Sequence, residues 1–315
     1  MKKFLVVIVC VLGLSVIAFS VSSDARKMAL DVAMMAEAKL ASMQKKSIVI
    51  DDHNIVYLER SATDPDAETL ILLHGFSAEK NNWPRFSRHL EKDLRIIAID
   101  WPAHGESSYL QDGDYRLETQ ADRLYAMMDK LGIPEAHLVG NSMGGAIAAI
   151  FASRFSEKVI TLTLMNSGGA DNPRTESDME VAVNKGENPL LVRDPSDFGK
   201  ILQISMEKPP FIPWPVSTAM AEMAASRYER FAAVFEQLHD GVTNTDTEYL
   251  KKIDVPTLIM WGNQDRILDV GNMEIFKSAI PNNEVIVYQD VGHLPMLEVP
   301  KKSATDVRRF IEKHS

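Results

Sequence analysis

The sequence predicts an α/β fold with a mostly parallel central sheet flanked by helices and a helical cap insertion, and three observations carry that reading. First, short apolar runs rich in β-branched residues recur along the chain: "TLILLHG" (69–75), "RIIAIDW" (95–101), "AHLVGN" (136–141), "TLTLMNS" (161–167), "TLIMWG" (257–262) and "EVIVYQD" (284–290). Runs this continuously apolar suit strands covered on both faces, as in a parallel sheet. Second, helical stretches such as "ETQADRLYAMMDKLG" and "GGAIAAIFASRF" lie between several of them, and alternation of strand and helix implies right-handed crossovers. Third, 315 residues at 45% hydrophobic content suffice to bury a large core.

Taken from the start, Lys2 and Lys3 precede an uncharged run over residues 4–21, "FLVVIVCVLGLSVIAFSV". At about 1.5 Å per residue such a run just spans a hydrocarbon layer, and it is long for the apolar part of a signal peptide. Residues 1–22 are therefore expected to be an N-terminal membrane anchor, or a signal peptide cleaved near Ala18-Phe19-Ser20. Lys and Arg are balanced across the run, so the positive-inside rule is silent. The short leading tail favours a cytoplasmic N-terminus with the remainder periplasmic or extracellular, or secreted after cleavage. Residues 23–46 follow as an amphipathic linker helix, with Met28, Val32, Met35, Ala38 and Leu40 at helical spacing. From residue 47, "SIVI" and "NIVYLER" around Asp51-Asp52-His53 read as a hairpin.

The α/β core is expected over residues 47–169 and 251–315. Residues 170–250 break the rhythm: they carry Met179, Met206, Met220, Met223, Phe198, Phe211, Trp214, Phe231 and Phe235, interrupted by Pro209, Pro210, Pro213 and Pro215. This stretch reads as a helical cap over the carboxyl ends of the strands, where open α/β sheets bind ligands. Some of its apolar side chains should line a pocket, and Phe211 and Trp214 are candidates for touching substrate.

Composition excludes some partners. A formal charge of −10 argues against nucleic acid, which demands a basic surface. One cysteine and eight histidines show no zinc-ligand spacing and no disulfide framework. No metal or organic cofactor is called for.

Gly140-Asn141-Ser142-Met143-Gly144 fits G-x-S-x-G, a weak signal by itself. Its setting between a predicted strand and a predicted helix is what a nucleophile elbow requires. A serine hydroxyl needs a base. His293 follows the last strand, where the chain order serine, acid, histidine would put one; His104, in "DWPAHGESS", lies before the serine and reads as part of a nearby loop. The imidazole in turn needs an acid. Asp265 in "WGNQDRILD" is the leading candidate, with Asp290 and Asp269 as competitors. The alternative acid position, after the strand that follows the elbow helix, reads "MNSGG" and has no carboxylate. The backbone N–H groups of Met143 and Phe76 are the expected oxyanion donors. His74 and Gly75, at the end of the first parallel strand, are expected beside the substrate.

The ordered set HG, D-x-P-x-H-G-x-S, G-x-S-x-G, G-x-x-D and G-H over residues 47–315 resembles the α/β-hydrolase superfamily. One departure is Ala103, where that family usually has glycine. "LLHGFSAEKNNW", "HLVGNSMGGAIAAIFASRF", "KIDVPTLIMWGNQDRILDV" and "VGHLPMLEVPKKSA" are similar to membrane-anchored monoacylglycerol lipases and cold-active bacterial lipases. The resemblance implies a serine esterase or lipase whose partner is a small acyl ester or acylglycerol. Two other readings compete. "GNSMGG" also looks like the elbow of carbon–carbon (meta-cleavage product) hydrolases, although their oxyanion loop usually differs from "HGFSAEK". A non-catalytic binding module could share the fold, but it would not need Ser142, His293 and Asp265 together.

Overall fold

The computed structural model describes residues 19–20, 22–64, 66–172, 174–239 and 247–314. Most of the apolar run at 4–21 lies outside these residues. Among the described residues, no helix is long and apolar enough to cross a membrane.

Among the described residues, eight strands form one sheet in the order β1-β2-β4-β3-β5-β6-β7-β8. β1 (Gln44–Ile50) and β2 (His53–Arg60) make the expected antiparallel hairpin, and β2 pairs antiparallel with β4 (Arg95–Ile99). β3 (Thr69–Leu73), β5 (Ala136–Ser142), β6 (Val159–Ser167), β7 (Thr257–Gly262) and β8 (Asn283–Tyr288) continue in parallel. The sheet starts at Gln44 and not at Ser47, because Gln44, Lys45 and Lys46 are exposed edge residues with no apolar pattern to mark them.

Alternation along the strands divides the core. Ile71, Leu73, Ile97 and Ile99 face one cluster with α3 (Leu117–Lys130), α4 (Met143–Arg154) and α9 (Met273–Ala279). Leu70, Leu72, Ile96 and Ala98 face the other, with α2 (Pro84–Ser87) and α11 (Pro300–His314). Because successive side chains of a strand point to opposite faces, runs apolar at every position are what a doubly covered sheet demands.

Between β6 and β7 stand α5 (Asp178–Asn184), α6 (Phe198–Ser205), α7 (Val216–Ser226) and α8 (Tyr228–His239). α1 (Ser23–Leu40) precedes the sheet. It packs along α7, with Arg26 Nε donating to Glu222 at 3.1 Å and Arg85 bonding Glu37 at 3.0 and 3.1 Å. α10 (Pro295–Glu298) precedes the terminal helix.

Candidate active site

Ser142 ends β5 and caps α4 with φ 55° and ψ −121°, a left-handed conformation that costs an L-residue of order 1–3 kcal/mol. The flanking glycines make the corner possible. A Cβ on Gly140 would lie 2.3 Å from the Gly144 carbonyl oxygen, and one on Gly144 would lie 2.3 Å from that of Leu73. Strand, turn and helix are thus in backbone contact, and any side chain there would force them apart. The turn also aims the positive end of the α4 dipole at the serine.

His293 sits in the loop after β8, beneath the insertion. Its Nδ1 lies 2.8 Å from Asp265 Oδ2. The other Asp265 oxygen accepts the backbone N–H groups of Ile267 and Leu268 at 2.9 and 3.0 Å. A carboxylate that accepts everything around it leaves Nδ1 as the donor, so Nε2 carries the free lone pair. The competing carboxylates are engaged elsewhere. Asp290 is exposed in a turn with φ 55°, and Asp269 Oδ1 accepts the Gly271 N–H at 2.7 Å.

Three residues that the sequence reading passed over hold this pair. Asn166, at the end of β6, donates its Nδ2–H to Asp265 Oδ2 at 2.7 Å and to the Gly292 carbonyl at 3.3 Å. It occupies the "MNSGG" position, so the site without a carboxylate supplies a donor to the carboxylate across from it. Asn141, beside the serine, donates to the carbonyls of Met165 (3.0 Å) and His293 (3.1 Å). Glu298 accepts the N–H groups of Gly292, Glu207 and Lys208, each at 2.9 Å, and ties the histidine loop to the insertion. Burial raises the Glu298 carboxyl above the ordinary range, against those three bonds.

The β3–α2 loop passes close to the serine: a Cβ on Gly75 would come within 2.8 Å of Ser142 Cβ and 3.3 Å of its Oγ. His74 does not reach the substrate side. Its Nδ1–H donates to the Gly75 carbonyl at 2.7 Å, and its Nε2 accepts the Trp101 N–H at 3.1 Å. Complete burial of a ring fixed in this neutral tautomer depresses its pKa to about 3. The sequence placed His74 beside substrate because it adjoins Gly75, but strand alternation turns its ring into the core. His104 is also buried, 5.2 Å from His74 ring to ring and 5.0 Å from Phe231.

The D-x-P-x-H-G-x-S stretch is scaffolding for this loop. Asp100 accepts Lys80 N and Nζ, both at 2.7 Å, and Glu106 N at 2.9 Å. Ser107 Oγ donates to the Asp100 carbonyl at 2.8 Å. Gly105 leaves no room for a Cβ against the Asp100 carboxyl. Ala103, where the related pattern has glycine, takes φ 66°, which explains the usual glycine.

Ser142, His293, Gly75 and Phe76 open onto one cavity of about 560 Å³. Phe198, Leu202, Met206, Met220, Met223 and Phe231 of the insertion line it, as does Phe211. Trp214 does not: it lies outside the cavity wall, edge-on to Phe19 at 5.9 Å. Its expected substrate contact rested on apolar character alone, which does not say which way a ring faces. Leu30, Ala33 and Met34 of α1 complete the wall.

A serine on a glycine-cleared elbow, lining one cavity with a histidine delivered from the end of the chain, defines a hydrolase of the α/β class. The chain belongs to the α/β-hydrolase fold family, whose pattern it matches over residues 68–202 and 224–300. It is 32% identical over 276 residues to Lipase 3 of Moraxella sp. (strain TA144), covering 87% of this chain and 86% of that one. It is 28% identical over 252 residues to monoacylglycerol lipase ABHD6 of Mus musculus, covering 77% and 75%. A crystal structure of a membrane phospholipase A, described as a bacterial virulence factor, superposes with a TM-score of 0.88 at 34% identity, covering 99% of each chain.

Proposed function

We propose that this carboxylic ester hydrolase cleaves acylglycerols or similar medium-chain acyl esters through an acyl-Ser142 intermediate. The observation that carries the reading is the His293 Nδ1–Asp265 bond of 2.8 Å, which leaves Nε2 as base at the cavity that Ser142 also lines. Ser142 Oγ attacks the ester carbonyl carbon and its proton passes to His293 Nε2. The oxyanion accepts hydrogen bonds from the Phe76 and Met143 N–H groups; one such donor contributes about 2.7–4 kcal/mol. The tetrahedral adduct collapses, the C–O bond to the alcohol breaks, and His293 returns the proton to the leaving oxygen. Water then repeats the sequence on the acyl-serine, releasing the acid and restoring the hydroxyl.

The apolar cavity favours an acyl chain over a charged substrate. Among the described residues its two arginines are already paired, Arg85 with Glu37 at 3.0 Å and Arg227 with Glu79 at 3.2 Å. Among the described residues an acidic carbon–carbon cleavage substrate therefore meets no ready cation on this wall. The N-terminal run at 4–21 supplies membrane attachment in this reading, with the catalytic domain exported. The test is a panel of p-nitrophenyl esters from acetate to decanoate together with monoacylglycerols. Each methylene buried should raise kcat/KM about fourfold until the cavity is full. A profile flat from acetate to decanoate would reject the acyl-pocket assignment.

A further inference from the structure

α1 carries apolar side chains on two opposite faces, and the fold accounts for only one. Leu30, Ala33 and Met34 line the cavity, while Arg26 and Glu37 on that same side fasten the helix to Glu222 and Arg85. On the far side Met28, Val32 and Met35 form a stripe at spacings of four and three residues. They are 62%, 55% and 64% exposed. A helix that merely packs on a domain keeps polar residues outward. The nearby insertion adds Phe211 and Trp214, 88% and 47% exposed; Phe211 is also on the cavity wall, and Trp214 meets Phe19 just ahead of α1. Exposed apolar surface beside a binding cavity marks an interaction site.

We propose that the outer stripe of α1, with Phe211 and Trp214, rests on a lipid bilayer surface, and that the ester enters the cavity along the inner face of the same helix. The inference rests on the reading that residues 4–21 attach the chain to a membrane. That run of eighteen uncharged residues ends next to Ser22, whose Oγ caps α1 by accepting the Ala25 N–H at 3.2 Å. Whatever layer holds the run therefore lies within a few residues of the stripe. The exposed residues of the helix include Asp24 and Asp31 against Lys27 and Lys39. With charge balanced, the contact is apolar and needs no anionic lipid, the pattern of a helix lying in the interface plane.

The fluorescence of the protein offers a direct readout. Of its four tryptophans, Trp83, Trp101 and Trp261 are fully buried, which leaves Trp214 to sense the surroundings. The full chain and its M28Q/V32Q/M35Q variant are reconstituted in phosphatidylcholine vesicles, with and without brominated acyl chains. Glutamine retains helix propensity, and none of the three residues lines the cavity. Brominated lipid should quench the parent protein and quench the variant less, at both low and high salt. The variant should hydrolyse soluble p-nitrophenyl butyrate at the parent rate but an ester dispersed in the vesicles about tenfold more slowly. A parent protein that does not float with vesicles at all would overturn the attachment reading and this inference with it. Flotation of both proteins with equal quenching and equal rates on the vesicle ester would overturn this inference alone and leave the attachment standing.

Discussion

His74 makes the loop that carries Phe76 acid-labile, and the size of the effect follows from its environment. The ring is wholly buried, with Nδ1–H given to the Gly75 carbonyl and Nε2 accepting the Trp101 N–H. A second proton would sit on Nε2 and face that N–H with no acceptor. Burial therefore lowers the pKa from 6.5 to about 3 in the folded state. A depressed folded pKa means that the unfolded chain takes up the proton first. The stability from this ring is complete above the unfolded pKa and declines as pH falls from 6.5 toward about 3. At about pH 5.5 the loss is about 1.4 kcal/mol, and below both pKa values it reaches about 5 kcal/mol. Denaturant unfolding of the parent and of His74→Gln, at about pH 7.5 and about pH 5.5, isolates this share. Glutamine keeps an acceptor for Trp101 and does not titrate, and His104, 5.2 Å away, is depressed chiefly by its own burial and only secondarily by His74, so its share differs little between the two proteins. The parent should lose about 1.4 kcal/mol more than the variant over this interval. Equal losses would refute the reasoning, since His74 would then be free to ionise in the fold.

Two further substitutions probe the scaffold. Asn166→Gly removes the donor on Asp265 Oδ2 and suits the positive φ of 46° at that position. A lost hydrogen bond to a charged group of about 1.5–3 kcal/mol predicts a fall in kcat of roughly ten- to a hundredfold with KM little changed, measured on a p-nitrophenyl ester; an unchanged kcat would remove Asn166 from the positioning of the pair. Lys80→Met strands the fully buried Asp100 carboxylate, whose partner Nζ lies 2.7 Å away. It should destabilise the fold by about 3–5 kcal/mol in denaturant unfolding, and a loss near zero would show that the pair is not structural.

The sheet was legible because doubly covered strands must be apolar at every position, and that pattern survives in "TLILL", "RIIAI" and "TLIMWG". Ser142 was legible for a related reason: a backbone corner this tight excludes side chains, so its glycines are written into the sequence. Asp265 could be ranked above Asp290 by its place after a strand, and the structure shows the physical difference, a buried acceptor of four hydrogen bonds against an exposed turn residue. Polar contacts that close through space left no local trace. Asn166 and Glu298 reach residues 99 and up to 91 positions away, and neither forms a motif with its partner. α1 was legible as an amphipathic helix but not the face on which it docks, because its cavity face and its exposed face both contribute apolar residues. Trp214 and His74 were misplaced for a simpler reason: residue type and neighbours in sequence do not fix the direction of a ring.

Activation of Ser142 by His293 is the step on which the proposed chemistry turns. Intact-mass measurement after exposure to a fluorophosphonate tests this directly, on the parent and on Ser142→Ala and His293→Gln. The parent should gain one adduct that maps to Ser142, Ser142→Ala none, and His293→Gln should react slower by orders of magnitude while remaining folded. An adduct on Ser142→Ala, or equal labelling rates for the parent and His293→Gln, would contradict the assignment.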